Sequence, residues 1–256
     1  MSIVRTRTTK TNKNIVELAS SAKPSSSNRN MEPSPVQVWR TFLTDDHTPV
    51  TPIVGLGAAC KRLCDLAIGG IALILLLPVF AVLAILIKLD STGPALFYQQ
   101  RLGRNRELIK VYKFRTMYQN YSTPSPTATS FKQTQKDDPR VTRLGAFMRK
   151  TSLDELPQLF NVVTGSMSLV GPRPHPAPLD EQYKHIIPAL ESRYAVKPGL
   201  AGWATVNGLR GETALVEDMV ARVEHDVYYI KNWSLWLDIK IIAISAIKGW
   251  VHRNAY

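Results

Sequence analysis

Between Leu66 and Ile87 the chain carries 22 consecutive residues without a formal charge. At about 1.5 Å per helical residue that run reaches about 33 Å, enough to cross a hydrocarbon core of about 30 Å. Water is a poor solvent for such a segment, so the fold must give it a bilayer or a protein core. Pro78 stands in its middle, where it removes a helix hydrogen bond and crowds the preceding turn, so a bend is expected. Basic residues flank both ends, Lys61 and Arg62 before it and Lys88, Arg101, Arg104 and Arg106 after it. The positive-inside bias then asks for both ends on the cytoplasmic side. A helix that enters, breaks at Pro78 and returns meets both constraints. A kinked spanning helix is the alternative that the residues leave open.

The whole chain, 256 residues with a formal charge of +12, has room for one domain and an extension and calls for an anionic partner. Membrane surface, nucleotide and nucleic acid all qualify by charge. No nucleic-acid partner is expected, because the basic residues are interleaved with carboxylates and apolar segments rather than gathered on one polar face. Residues 1–55 are rich in Ser, Thr, Asn, Pro and Lys without helical or strand period, and read as a disordered basic tail. It has no apolar stretch near Met1 of the kind a secretory signal needs. Cys60 and Cys64 lie one helical turn apart, a spacing that suits neither a disulfide framework nor a zinc site, so both are expected reduced. Phosphate-loop, dinucleotide and Gly-x-Ser-x-Gly motifs are missing.

Chemistry concentrates in Arg149-Lys150-Thr151-Ser152-Leu153-Asp154-Glu155-Leu156-Pro157, followed by Gly171-Pro172-Arg173-Pro174. Ser152 and Glu155 have capping-box spacing for a helix over 154–163. The neighbours argue for more than a cap: a helix start favours anions, and Arg149, Lys150 and Arg173 are available to the same spot. Adjacent carboxylates point in different directions, so one could attack phosphorus while the other holds a hard cation through oxygen. Gly171 to Pro178, rich in Gly and Pro, is expected to be extended and rigid, presenting Arg173 at low entropic cost.

Around this stretch, Ala95 to Arg101 and Leu108 to Met117 read as a hairpin turning at Gly103 to Asn105. Period two puts Lys113 and Arg115 on one strand face, suited either to phosphate or to plain solvation. Residues 119–137 read as a polar loop, and a short basic helix starts at Leu144. Helical character is expected over Leu179 to Ala195 with a break at Pro188, and over Thr213 to Ile230. Lys197-Pro198-Gly199 reads as a type II turn and Val206-Asn207-Gly208 as a turn compatible with a second hairpin. The last helix, Trp233 to Trp250, carries Trp at its ends, which suits a membrane surface or a buried core. Asp238 and Lys240 argue against its spanning.

From about Lys61 onward the chain resembles the bacterial sugar transferase family, the monotopic phosphoglycosyl transferases that start polysaccharide assembly on a polyprenyl phosphate. The matching pieces are Lys61-Arg62-x-x-Asp65, Tyr112 to Met117, Arg149 to Asn161, Met167 to Pro174 and Asn232 to Asp238. Lys197-Pro198-Gly199, Gly202-Trp203-Ala204 and Asn207 to Thr213 look most like the undecaprenyl-phosphate glucose phosphotransferase branch. Departures are Leu77 before Pro78, where many members have Ser, and Thr205, where relatives often have Gln.

The resemblance implies a mainly helical α+β monotopic membrane protein with a Pro-kinked re-entrant helix, a small β-hairpin and surface-lying amphipathic helices. Its divisions would be the tail 1–55, a membrane helix 56–90 and a cytoplasmic catalytic domain 91–256 with membrane-interface helices, on the bacterial inner membrane. The additional membrane domain of larger relatives is not expected. Asp154 would attack the β-phosphorus of a UDP-sugar, expel UMP and hold the sugar phosphate, which undecaprenyl phosphate then takes, the first step of exopolysaccharide assembly. Glu155, with Asp154, would hold Mg2+. Lys113, Arg115, Arg149 and Arg173 would bind phosphate or nucleotide, with Pro172 and Pro174 shaping the pocket and Pro78 breaking the membrane helix. UDP-glucose is the expected donor, UDP-galactose or a non-catalytic export adaptor the alternatives; membrane lipids are expected partners, and a homo-oligomer is left open.

Overall fold

The apolar run folds as part of one long helix, α1 (Gly55–Asp90), in a computed structural model that describes residues 50–119, 138–209, 211 and 216–248. These all belong to the unit His47–Tyr256. The expected loop at 119–137 beyond Gln119, most of the expected tail, Thr213 to Leu215 and Trp250 lie outside the described residues. The tail ends earlier than expected, because Val50 and Ile53 pack against the core.

Lys61, Asp65, Gly69, Phe80, Leu83 and Ile87 of α1 are buried, and Ala72, Leu73 and Leu76 pack partly buried between them. Steps of three or four residues keep all of these on one face. The opposite face exposes Leu63, Ile71, Ile74, Leu75, Val82, Ile85 and Leu86. α1 is therefore docked along its length and bare and apolar on the other side. Helical backbone continues through Pro78, so the expected break does not interrupt it.

Both ends of α1 are fixed by buried charge. Near its start, Lys61 Nζ donates to Asp238 Oδ2 at 2.6 Å and to the Val170 carbonyl at 3.0 Å. Tyr229 donates to Asp238 Oδ1 at 2.8 Å. Asp65 accepts from Ser168 Oγ and from the Leu169 amide, at 3.0 and 2.9 Å. At the far end the Arg115 guanidinium donates to the carbonyls of Ile87, Ser91 and Pro94, at 3.1, 2.6 and 2.7 Å. Those carbonyls lie at a helix C-terminus, where the dipole favours a cation.

The hairpin forms as expected, β1 (Leu96–Leu102) antiparallel to β2 (Leu108–Phe114), registered Leu96↔Phe114 to Leu102↔Leu108. Asn105 and Arg106 take positive φ in its turn. There follow α2 (Arg143–Thr151), a 3-10 turn (Leu153–Glu155), α3 (Gln158–Thr164), β3 (Ser168–Val170), α4 (Ala177–Tyr183), a 3-10 stretch (Pro188–Ala195), β4 (Gly199–Ala201), α5 (Trp203–Val206), α6 (Val216–Lys231) and α7 (Leu235–Lys248). The helical character over 179–195 thus breaks before Pro188 and continues as 3-10. Ala177 and Pro178, expected in the extended run, open α4.

β3 and β4 pair in parallel, Ser168↔Gly199 and Val170↔Ala201, a sheet that the turn reading of Lys197-Pro198-Gly199 missed. Gly199 does not take the positive φ of a type II turn. It is glycine for closeness: a Cβ there would stand 2.0 Å from the Gly171 amide nitrogen. Val206-Asn207-Gly208 ends α5 and joins no hairpin among the described residues. One core gathers Val111, Leu159, Val162, Met167, Val170, Tyr229 and Ile241. Another joins Phe80, Leu83 and Ile87 of α1 to Phe114 and Met148.

Candidate active site

The site is built where α2 ends. Thr142 caps α2 by accepting from the Gly145 amide at 2.9 Å. Gly145 lets the helix cross the segment after β2, since a Cβ there would meet the Thr116 carbonyl oxygen at 2.1 Å. This crossing brings Arg149 Nε to Thr116 Oγ1 at 2.9 Å. Ser152 then reverses the chain in a left-handed conformation, φ 61°, which a non-glycine residue adopts at a cost of about 1 kcal/mol. The 3-10 turn after it carries Asp154 and Glu155 inward, both buried.

The capping-box expectation fails here. Ser152 is at once the C-cap of α2 and the residue before the 3-10 turn, but its Oγ is buried without a partner and makes no capping bond, and Glu155 faces cations instead. The carboxylates sit on the 3-10 turn, and α3 begins only at Gln158.

Glu155 Oε1 accepts from Lys113 Nζ at 2.9 Å and also from Arg173 Nη2, while Oε2 accepts from Arg173 Nη1 at 2.9 Å. This forked pairing holds the Arg173 guanidinium above its ordinary pKa. Burial lowers Lys113, against the pull of Glu155 and Asp154. Asp154 Oδ1 is buried and has no hydrogen-bond partner. Burial and then the charge of Glu155 push Asp154 up to about 6, with Lys113, Arg149 and Arg173 opposing.

Of the expected site residues, Lys113, Arg149, Asp154, Glu155 and Arg173 are brought together. Pro172 and Pro174 flank Arg173 and line small cavities beside it. Arg115 is not brought to the pair: β2 ends at Phe114, and the next side chain turns to the carbonyls at the end of α1. It holds α1, a correction to its expected phosphate role. Lys150 is exposed, and Pro78 lies exposed on α1.

Residues that sequence reasoning missed support this centre. Buried Arg193 donates to the Arg173 carbonyl at 2.7 Å and to Asp226 at 2.7 Å, and lies 2.7 Å from His175 Nδ1. His175 in turn meets Asp180 at 2.9 Å. Burial, then Arg193, drives His175 well below its ordinary range, so it is neutral. Asn161 ties α3 to the hairpin, accepting from the Tyr112 amide at 3.0 Å and donating to the Lys110 carbonyl at 2.6 Å. Arg101 lines a cavity with Lys113 and Arg173; its place on the same period-two face as Lys113 was the available signal.

Among the described residues no group of three or more His, Cys, Asp or Glu could hold a metal alone. The pair nonetheless suits Mg2+: an orphaned Asp154 oxygen beside Glu155 offers hard donors. Mg2+ binds through one or two carboxylates when phosphates and water complete its shell. The arrangement can therefore collect phosphate oxygens, with or without that ion, against a buried carboxylate.

Comparison with known proteins agrees with this chemistry. A family model described as bacterial sugar transferase matches residues 56–252. The UDP-glucose:undecaprenyl-phosphate glucose-1-phosphate transferase of Escherichia coli (strain K12) is 46% identical over 206 residues, 80% of this chain and 43% of that protein. The exopolysaccharide production protein PSS of Rhizobium leguminosarum bv. phaseoli is 45% identical over 185 residues, 71% of this chain and 90% of that protein. The UDP-N-acetylgalactosamine-undecaprenyl-phosphate N-acetylgalactosaminephosphotransferase of Aeromonas hydrophila is 43% identical over 185 residues, 72% of this chain and 42% of that protein. The matched part of the chain thus covers 43% and 42% of the Escherichia coli and Aeromonas relatives. With the matched region containing α1, the hairpin and the Asp154-Glu155 turn, the chain belongs to the bacterial sugar transferase family.

Proposed function

We propose that the chain transfers glucose 1-phosphate from UDP-glucose to undecaprenyl phosphate, releasing UMP. The observation that carries this reading is the unpartnered Asp154 oxygen, buried among Lys113, Arg149 and Arg173. The glucose transferase name of the Escherichia coli relative supports the donor. An Asp154 oxygen attacks the β-phosphorus, the bond to the bridging oxygen breaks, and that oxygen departs on UMP. An oxygen of undecaprenyl phosphate next attacks the same phosphorus and frees Asp154. Arg149, beside the nucleophile, binds the transferred phosphate, and Arg173, fixed by Glu155 and Arg193, binds the diphosphate. Mg2+, held by Asp154 and Glu155, would neutralise diphosphate charge.

The second substrate explains α1. With 36 residues, α1 is long and apolar enough to cross a membrane by length and composition. Its docked stripe from Lys61 to Ile87 runs about 39 Å at about 1.5 Å per residue, leaving no stretch of bilayer thickness free of the globular unit. A helix crossing to the far side needs about 30 Å of such freedom. We therefore read α1 as re-entrant or shallowly immersed, both ends on the cytoplasmic face of the inner membrane, its bare face in lipid. The active site then lies at headgroup depth. The exposed Trp236, Ile239 and Ile247 of α7 suit the same interface.

The test is the purified full chain in nanodiscs with undecaprenyl phosphate and labelled UDP-glucose, UDP-galactose or UDP-N-acetylgalactosamine. Lipid-linked hexose and equimolar UMP from UDP-glucose are expected. A second reading, an N-acetylated donor, rests on the Aeromonas relative and is favoured if UDP-N-acetylgalactosamine is used faster. No UMP release from any donor contradicts both.

A further inference from the structure

The hairpin brings a further cation to the pair. Arg101 of β1 and Lys113 of β2 flank buried Val111, and with Gln158, Arg173 and Pro174 they line a cavity of about 40 Å3. At roughly 10–15 Å3 for each water it takes about three waters, so it is a small polar cavity rather than a packed seam. Arg101 feels Arg173, then Glu155 and Asp180. Arg149, in contrast, feels Asp154 first among charges. Arg149 is held at Thr116 and does not line this cavity, whereas Arg101 lines it beside Lys113 and Arg173, the two partners of Glu155. There Glu155 alone pairs with Lys113 and Arg173, and Arg101 adds charge beyond what it can offset.

We propose that Arg101, Lys113 and Arg173 form a subsite for a phosphate monoester, and that it holds the phosphate of the departing nucleoside monophosphate. The second half of this statement rests on the function proposed above. In that reaction the β-phosphorus sits at Asp154, and negative charge grows on the bridging oxygen as its bond to phosphorus breaks. That oxygen and its phosphate point away from the nucleophile in an in-line displacement, toward Arg101. Burial lowers Arg101 only to about 10, so it stays charged at neutral pH. A group that binds the leaving phosphate more tightly than the bound diphosphate assists departure.

The experiment measures binding of UMP, uridine and farnesyl phosphate to the full chain in nanodiscs, by calorimetry, for wild type, Arg101→Gln, Arg101→Lys and Arg104→Gln. Arg104 is exposed in the hairpin turn and controls for loss of one charge. Arg101→Gln is expected to weaken UMP about tenfold or more, as loss of a charge-assisted contact does. Uridine should be unchanged, Arg101→Lys should lose less, and Arg104→Gln should stay near wild type. UMP affinity equal to wild type in both Arg101 variants overturns the subsite, as does equal weakening of UMP and uridine. Weakening of farnesyl phosphate but not UMP assigns the cavity to the lipid and overturns the leaving-group role. Wild-type turnover without an Arg101 effect sinks the subsite alone. UMP binding with the expected Arg101 effect, but no turnover of any UDP-sugar, supports the subsite and sinks the reaction.

Discussion

Asp154 and Glu155 are neighbours in sequence with different environments: Glu155 is paired with Lys113 and Arg173, whereas Asp154 keeps a buried oxygen without a partner. That asymmetry supports Asp154 as the proposed nucleophile. Asp154→Asn should lower UMP release at least about 10³-fold, as loss of a nucleophile does. Asp154 must be ionised to attack, so with its pKa near 6 the first half-reaction should fall about tenfold per pH unit below that point. Stability carries the opposite sign. A folded pKa near 6 lies above the unfolded value of about 3.9. The folded state therefore binds more protons between those values, and this contribution to stability is present at low pH and lost as pH rises through about 6. In metal-free buffer Asp154→Asn should melt above wild type at pH 7.5, with the gap closing toward pH 5; a lower Tm at pH 7.5 contradicts the shift. The carboxylate pair, Arg149, Arg173 and Lys113 were legible because charges crowd one short stretch and its strand neighbour. Arg115 was misread because period two was carried past Phe114, where the strand ends. The Ser152 cap was misread because spacing alone does not reveal a left-handed residue.

Among the elements, α1 is held from both ends by charges in a nearly dry setting. Breaking a buried pair costs about 3–5 kcal/mol because the surviving charge is left unpaired. Lys61→Ala should therefore lower Tm in nanodiscs strongly, and Lys61→Ala with Asp238→Asn should recover part of that loss, measured as a double-mutant cycle. Additive losses would mean that the 2.6 Å contact carries little. Gly145→Ala should be as damaging to activity as a substitution within the site, because α2 must back away from Thr116 and take Arg149 with it. Normal kcat in that variant contradicts the crossing. The hairpin and α6 were readable from periods of 2 and 3.6, and α1 and α7 from apolar length. The parallel β3 and β4 pair was not, since three-residue strands some thirty positions apart leave no local pattern.

For the whole molecule, the proposed reaction asks one apolar helix face and one cationic cleft to serve a lipid phosphate and a soluble nucleotide together. The topology that allows this can be read by labelling. In a Cys64→Ser background, native Cys60 and an introduced Thr92→Cys, both exposed at opposite ends of α1, should react with an impermeant maleimide from the same side of sealed inverted vesicles. Reaction from opposite sides would make α1 a spanning helix. The central claim, that Asp154 carries the sugar phosphate, is tested most directly by rapid quench and peptide mass spectrometry with UDP-glucose and no lipid acceptor. A hexosyl phosphate on the peptide containing Asp154, matched by one UMP per adduct and missing in Asp154→Asn, is the predicted result. UMP release and lipid transfer that persist in Asp154→Asn, with no adduct on the wild type, would contradict it.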